Sequence, residues 1–370
     1  MLRRQFIAKS FRAAATAAIS TSLLRAETTS KSILVLGGTF FLGPAIVEAA
    51  MADGHKVTLL NRGVTNPGLF PYVEKLRGFR SPNSDDQNIS ALGQRHWDVV
   101  IDVWPYEPVL VESAARRLKD RTKHYLYVSS VGAYDTKDFS QPNVSEDGAT
   151  VPWAIVPRES TGDAYDRGKA ESERRLRAII GERLTVVRPG PIKGIRDDTP
   201  DILIWLRRMQ QNSTVIAPGD GSDPVEIVDV NDVAEFLMLA IDRPLYGTFN
   251  VTGRPMSFRS FLDDCRSATH SNAELVWITE AFLRNQGLVL QGQANWLRPF
   301  PYWKPDPSWA NFSRISSAKA YDAGWQTRPF RNTAIDYLAY IASLPAYVFQ
   351  DTLSPERHAE VLNLWRNGTR

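Results

Sequence analysis

Tyr165 and Lys169 stand four residues apart in GDAYDRGKAESERRL, a spacing that places both side chains on one face of a helix. A tyrosine ordinarily loses its proton near pH 10. An ammonium about 4 Å away, at an effective dielectric near 20, favours the phenolate by roughly 4 kcal/mol, on the order of three pKa units. Paired in this way, Tyr165 is a general acid or base near neutrality. The Y-x-x-x-K spacing also occurs on ordinary amphipathic helices, so a second element has to support the pairing. HYLYVSSVGAYD reads as a strand ending in Ser129 and Ser130. If that strand lies beside the helix, Ser130 can donate a hydrogen bond to a substrate oxygen while Tyr165 exchanges its proton; Ser129 ranks behind it. GDAYDRGKA is only superficially a phosphate loop, because Ala170 stands where Ser or Thr would hold magnesium.

A second constellation lies upstream, in KSILVLGGTFFLGPAIVEAA. A strand runs directly into Gly37, Gly38, Thr39, Phe40, Phe41, Leu42 and Gly43, and then into a helix. Glycine serves where a backbone turns sharply against a ligand, and a helix start supplies free N–H groups and partial positive charge for a pyrophosphate. Glycines between a strand and a helix are also common for steric reasons alone. Position favours the nucleotide reading: the turn follows the first strand of the chain after the leader and opens a βαβ unit. The next strand, GHKVTLLNRG, ends at Asn61 and Arg62. An acid there would bind a ribose 2′-hydroxyl, whereas a basic residue suits a 2′-phosphate. The acid is missing, so NADP is the expected cofactor and NAD the alternative; read plainly, Arg62 is a solvated surface charge.

These residues need a scaffold, and the apolar pattern supplies one. Short β-branched runs at residues 33–36, 56–60, 98–103, 124–129 and 184–188 read as buried parallel strands, with helical spacing between them at 44–53 and 107–119. Alternating strand and helix predicts an α/β fold with a doubly wound parallel sheet and a smaller C-terminal substrate-binding domain. The expected divisions are 1–26 as a signal segment, 27–190 with 224–255 as the dinucleotide-binding domain, 191–223 with 256–345 as the substrate domain, and 346–370 as a C-terminal helical tail. Residues 293–312, QANWLRPFPYWKPDPSWANF, carry three tryptophans among prolines. They either stack on a sugar face or pack between the domains.

The chain has 370 residues, 43% hydrophobic and 23% charged, an ordinary globular composition. No stretch approaches the roughly 20 apolar residues that cross a bilayer as a helix. The first 26 residues hold five Lys or Arg and no acid. RRQFIAKS, beginning at Arg3, resembles the bacterial twin-arginine export signal, so a periplasmic or cell-envelope location is expected, with an organellar transit peptide or a cytoplasmic location as the alternative. Without that segment, 39 basic residues face 41 acidic ones and the formal charge falls from +3 to −2. Nucleic acid is therefore not a favoured partner. The single cysteine, Cys265, excludes an intrachain disulfide and reads as a small buried apolar residue. The five histidines show no metal-ligand spacing, and there is no G-x-S-x-G nucleophile elbow.

With the glycine turn, Ser130, Tyr165 and Lys169 in this order, the chain resembles the extended short-chain dehydrogenase/reductases, the NAD(P)-dependent epimerase/dehydratase family, over about residues 32 to 340. The resemblance implies a Rossmann domain and gives Ser130, Tyr165 and Lys169 the family's catalytic roles, with Lys169 also holding the nicotinamide ribose. It further implies that VVRPGPIKG faces the nicotinamide through Pro189 to Ile192, and that IDVWPY lines the other side of the cofactor through Asp102, Val103 and Trp104. Phe40 stands where the family's usual turn has glycine, which shifts pyrophosphate contact to Gly38, Thr39 and the helix start. Ser129 joins the cofactor-binding set as a neighbour. The resemblance implies an oxidoreductase, epimerase or dehydratase acting on a sugar or sugar derivative, with a homodimer as a further expectation. GGT-x-FLG also resembles a branch containing chloroplast RNA-associated proteins, so a non-catalytic cofactor-sensing or RNA-binding protein is the alternative.

Overall fold

The structure is a computed structural model that describes residues 29–80, 86–105, 107–135, 143–154, 161–289, 297–304, 314–345 and 351–368. The export-type segment at 1–26 lies outside these, as do Trp296 and Trp309 of the aromatic stretch.

Thirteen strands are named along the described chain: β1 (Ser32–Leu36), β2 (Lys56–Asn61), β3 (Glu74–Arg77), β4 (Trp97–Asp102), β5 (Thr122–Val128), β6 (Leu184–Pro189), β7 (Ile192–Lys193), β8 (Thr214–Pro218), β9 (Pro224–Val225), β10 (Val228–Asp229), β11 (Gly247–Val251), β12 (Met256–Ser257) and β13 (Glu274–Ile278). Seven form one sheet in the order β11-β6-β5-β4-β1-β2-β3, with every pairing parallel. Strands buried on both faces need apolar side chains at every position, which is why SILVL and LTVVRP read as continuous runs. The chain reverses its direction of travel across the sheet between β1 and β4, the place where a doubly wound fold opens a crevice. This is the doubly wound parallel sheet expected from the apolar pattern, and the Rossmann arrangement that the family resemblance implied.

On one face, α1 (Leu42–Ala52) and α5 (Val230–Asp242) pack Ile46, Val47, Val233 and Leu237 against Ile33, Val35, Leu59 and Ile101. On the other, α2 (Pro108–Leu118) and α3 (Thr161–Ile180) cover Leu34, Val100 and Tyr125 with Val111, Leu118, Leu176 and Ile180. A second core is built by α4 (Asp201–Gln211), α6 (Phe258–Ala268), α7 (Glu280–Asn285), α9 (Phe330–Ser343) and α10 (Pro355–Arg366). The short α8 (Ala318–Asp322) belongs instead to the sheet's core, through Ala320.

Aromatic rings dominate the second core: Trp205, Phe258, Phe261, Phe300, Tyr302 and Tyr337 interlock there, with Cys265 buried among them. The described part of the Trp- and Pro-rich segment joins this packing. Trp303 is buried and donates its indole N–H to Asp223 at 3.0 Å, and Phe300 stacks on Trp205. No described helix is long and apolar enough to cross a membrane.

Candidate active site at the carboxyl edge of the sheet

At the end of β1, Gly37 and Gly38 take φ values of 128° and 93°, which L side chains adopt only under strain. Space excludes side chains as well. A Cβ on Gly37 would come 2.6 Å from Val103 Cγ2, and one on Gly43 would meet the Gly38 backbone at 2.6 Å. Gly43 thus lets the first turn of α1 press on the glycine bend. Phe41, which precedes α1, is itself left-handed at φ 45°, so the turn stores strain where a ligand would approach. Thr39 is buried and its carbonyl accepts from Asn66 Nδ2 at 2.9 Å, which ties the loop after β2 to the turn. Leu42, the first residue of α1, is buried, while Phe40 is 55% exposed. The turn is therefore a backbone cradle with little side-chain bulk at its base, and it fits a dinucleotide pyrophosphate.

The catalytic candidates are set by α3. Tyr165, Lys169 and Glu173 recur every four residues and share one stripe of that helix. Glu173 is the clamp: both its oxygens hold Arg188 of β6, at 2.9 and 2.7 Å, and Oε1 also accepts from Ser129 at 2.5 Å. One turn earlier, Lys169 is only 2% exposed. Its Nζ donates to the carbonyls of Val128 at 2.6 Å and Trp104 at 2.9 Å, and lies 4.8 Å from the centre of the Tyr127 ring and 5.6 Å from that of Tyr165. Burial pulls the Lys169 pKa down to about 7, with Asp102 and Glu173 opposing and Arg80 adding to the drop. The lysine is therefore a cation close to losing its proton at neutral pH, held beside Tyr165.

Ser130 follows β5 and accepts the N–H of Gly132 at 3.0 Å, which fixes its side chain at the start of the turn 131–133. Ser129 points inward: its hydroxyl is buried on Glu173. Of the two serines, Ser130 is the one placed beside the crevice, and Ser129 braces the helix that carries Lys169.

The segment after β4 connects the cradle to the lysine. Asp102 is fully buried and takes both guanidinium nitrogens of Arg80, at 2.9 and 2.7 Å, the Tyr125 hydroxyl at 2.9 Å and the Trp104 N–H at 3.0 Å. Its carboxylate thus organises the loop. Val103 packs on Gly37, and the next residue, Trp104, gives its carbonyl to Lys169. Pro189 ends β6, and Ile192 opens β7, which pairs with β10.

At the other end of the crevice, β2 closes on Asn61, whose register partner is Arg77 of β3. Asn61 Oδ1 accepts from the Gly63 N–H at 2.9 Å and from Arg77 Nη1 at 3.4 Å. Arg62 is exposed beside them. Two guanidinium groups thus flank the strand end where a ribose 2′-group would lie.

The sequence reading missed Arg80, Glu173 and Asp166. Asp166 packs its carboxylate over Gly132, and burial, helped by Asp163, pushes its pKa up to about 7. Its position next to Tyr165 was the one available signal; Arg80 and Glu173 gave none, because their partners are 22 and 15 residues away.

Comparisons with known proteins agree with this fold. Residues 107–252 match the sequence model of the NAD dependent epimerase/dehydratase family. The chloroplast stem-loop binding protein of 41 kDa b from Arabidopsis thaliana is 26% identical over 261 residues, 67% of this chain, and the chain spans 65% of that protein's length. Among solved structures, a UDP-N-acetylglucosamine 4-epimerase from Bacillus cereus superposes with a TM-score of 0.61 at 16% identity, covering 86% of this chain and 99% of that one. A UDP-glucose 4-epimerase with UDP-glucose from Thermotoga maritima gives 0.55 at 18% identity, covering 84% and 98%. The enzyme WbmH of Bordetella bronchiseptica in complex with NAD+ gives 0.58 at 16%, covering 85% and 100%. The chain therefore has the fold of these epimerases along most of its length, and over residues 107–252 it carries the pattern of the NAD dependent epimerase/dehydratase family.

Proposed function

We propose that the protein is an NADP-dependent oxidoreductase or epimerase acting on a sugar or sugar derivative. One observation carries this reading: a buried lysine, pinned by two carbonyls, lies beside Tyr165 at the sheet edge where the glycine cradle opens. Tyr165 exchanges a proton with a substrate hydroxyl. Lys169 stabilises the phenolate when charged, and its depressed pKa lets it take part in the same proton balance near neutrality. Ser130 holds the substrate oxygen. A nicotinamide dinucleotide would supply the hydride acceptor here, and Gly37 to Gly43 would hold its phosphates and Arg62 and Arg77 its adenosine end. The absence of an acid at Asn61–Arg62 favours NADP over NAD.

The test measures NADPH binding by fluorescence and turnover on UDP-glucose, UDP-N-acetylglucosamine and D-glucose. Tyr165→Phe is expected to keep NADPH binding and lose turnover by about a thousandfold, the scale of acid–base catalysis. Unaltered turnover in that variant rejects the assignment, and a wild-type protein that fails to bind NADPH rejects the cofactor. The plant relative favours a second reading, a non-catalytic RNA binder on the same fold. Tight, steeply salt-dependent stem-loop binding by the protein lacking residues 1–26 would support that reading.

The Arg3-Arg4 segment is proposed to export the folded protein, which would favour a free or polymer-linked sugar over a nucleotide sugar. Arg3→Lys with Arg4→Lys should then strand it in the cytoplasm; an unchanged distribution on fractionation removes export.

A further inference from the structure

Glu226 follows β9 at the junction of the two cores: Val225 and Ile227 on either side belong to the second core, while Val228 joins the first. Its side chain faces Gly190, the first residue past β6, and Thr252, the first past β11. A Cβ on Gly190 would lie 3.3 Å from Glu226 Oε1 and 3.4 Å from Thr252 Cγ2. The sheet is parallel, so these ends share the edge that carries Ser130 at the end of β5. In the order β11-β6-β5-β4-β1 they lie one to two strand spacings beyond Ser130, each about 4.8 Å, on the side away from the glycine turn. Glu226 is 4% exposed, and its Oε2 is buried with no hydrogen-bond partner among the described residues.

An orphaned buried carboxyl oxygen costs on the order of 1–3 kcal/mol unless a ligand or a proton satisfies it. The buried carboxyls Glu171 and Glu173 are instead satisfied by arginines. Burial pushes the Glu226 pKa up to about 8, against the Thr252 hydroxyl and Lys304. Lys304 faces it from the second core's side; burial first and Arg298 second pull that amine down to about 8, with Glu226 opposing. At neutral pH, Glu226 therefore keeps its proton. A neutral carboxyl both gives and takes hydrogen bonds, which matches a hydroxyl and not an anion.

We infer that Glu226 is a ligand-contacting residue of the same crevice, holding a hydroxyl of the polyhydroxylated substrate on the side opposite the glycine turn. This rests on the sugar-directed function proposed above and adds a specificity contact to it.

The first experiment needs no substrate: dicyclohexylcarbodiimide, which modifies protonated carboxyls that it can reach, is applied to the folded protein and the sites are mapped by mass spectrometry. Glu226 should be modified at least about tenfold faster than Glu173 near pH 6, and much more slowly near pH 9. An unreactive Glu226 in folded protein makes it a sealed structural acid and overturns the inference. The second compares variants on whichever of the three sugars named above is turned over. Glu226→Leu should raise KM up to about tenfold with NADPH binding unchanged, while Glu226→Gln, which still donates and accepts, stays close to wild type. Equal KM values in both variants also overturn it. Failure of the wild type to bind NADPH would reject the proposed cofactor alone, because carbodiimide reactivity at Glu226 is read independently of it.

Discussion

Two lysines are buried to nearly the same degree, Lys169 at 2% and Lys193 at 7% exposed, yet their environments move their pKa values in opposite directions. Lys193, on β7, meets Asp201 at 2.9 Å, Asp197 at 3.0 Å and the Thr199 hydroxyl at 2.6 Å. Burial works to lower its pKa, but the two carboxylates outweigh burial and leave it raised. Lys169 has carbonyls for partners, with the nearest carboxylates acting through space, and burial wins. A buried cation with matched anions is architecture, whereas one supplied only with dipoles is kept ready to change its charge. On this view Lys193 fixes how the segment 192–201 folds, and Lys169 is available for chemistry.

The contrast breaks most sharply when each amine is removed in turn. Lys169→Met should cost turnover about a thousandfold and change stability little, because the donor lost to the carbonyls of Val128 and Trp104 is offset by removing a buried cation that has no carboxylate in direct contact. Lys193→Met strands Asp197 and Asp201 and should destabilise by about 3–5 kcal/mol in urea unfolding. Similar stability losses in the two variants would erase the distinction. The pH dependence carries opposite signs. Lys169 titrates near 7 when folded against 10.5 in an unfolded chain, so its burial penalty is fully present below about pH 7 and is relieved as pH rises toward 10.5. Lys193 is raised above 10.5, so its stabilisation is present below that value and fades as pH climbs through the folded pKa. With rising alkalinity Lys193→Met should therefore approach wild type, whereas Lys169→Met should fall relative to a wild type relieved of its burial penalty.

The same contrast separates what the sequence could reveal from what it could not. Strands of the sheet interior were legible because burial on both faces demands unbroken apolar runs, as in SILVL. β3, EKLR, was not: as an edge strand of the sheet it carries charged residues at three of its four positions and has no such run. Tyr165 and Lys169 were legible because helical spacing is local, and the structure does bring them to one stripe near Ser130. Their counterparts depend on distant pairing. Nothing in the chain near Glu173 announces Arg188, nothing near Arg80 announces Asp102, and Glu226 acquires its orphaned oxygen only when the ends of β6 and β11 meet it. Of the tryptophan-rich segment, described in part, Phe300, Tyr302 and Trp303 pack into the second core.

Exposed cations should show the smallest effects, and the arginines at the end of β2 extend the comparison to that limit. Arg62 is free in solvent, and Arg77 lies across from Asn61 with its guanidinium over Gly63, so neither is committed to a carboxylate as Lys193 is. A charge-assisted contact from guanidinium to a ribose phosphate is worth about 1.5–3 kcal/mol when formed and less when water competes. Arg62→Ser and Arg77→Ser should each weaken NADPH by about tenfold and leave NADH unchanged, measured by fluorescence titration at one ionic strength. Raising salt should shrink the difference, because solvent-exposed charges are screened beyond roughly 8–10 Å. If both cofactors weaken equally, the two arginines support the strand end without reaching a 2′-phosphate, and the surface pair then behaves as Lys193 does, a charge spent on architecture.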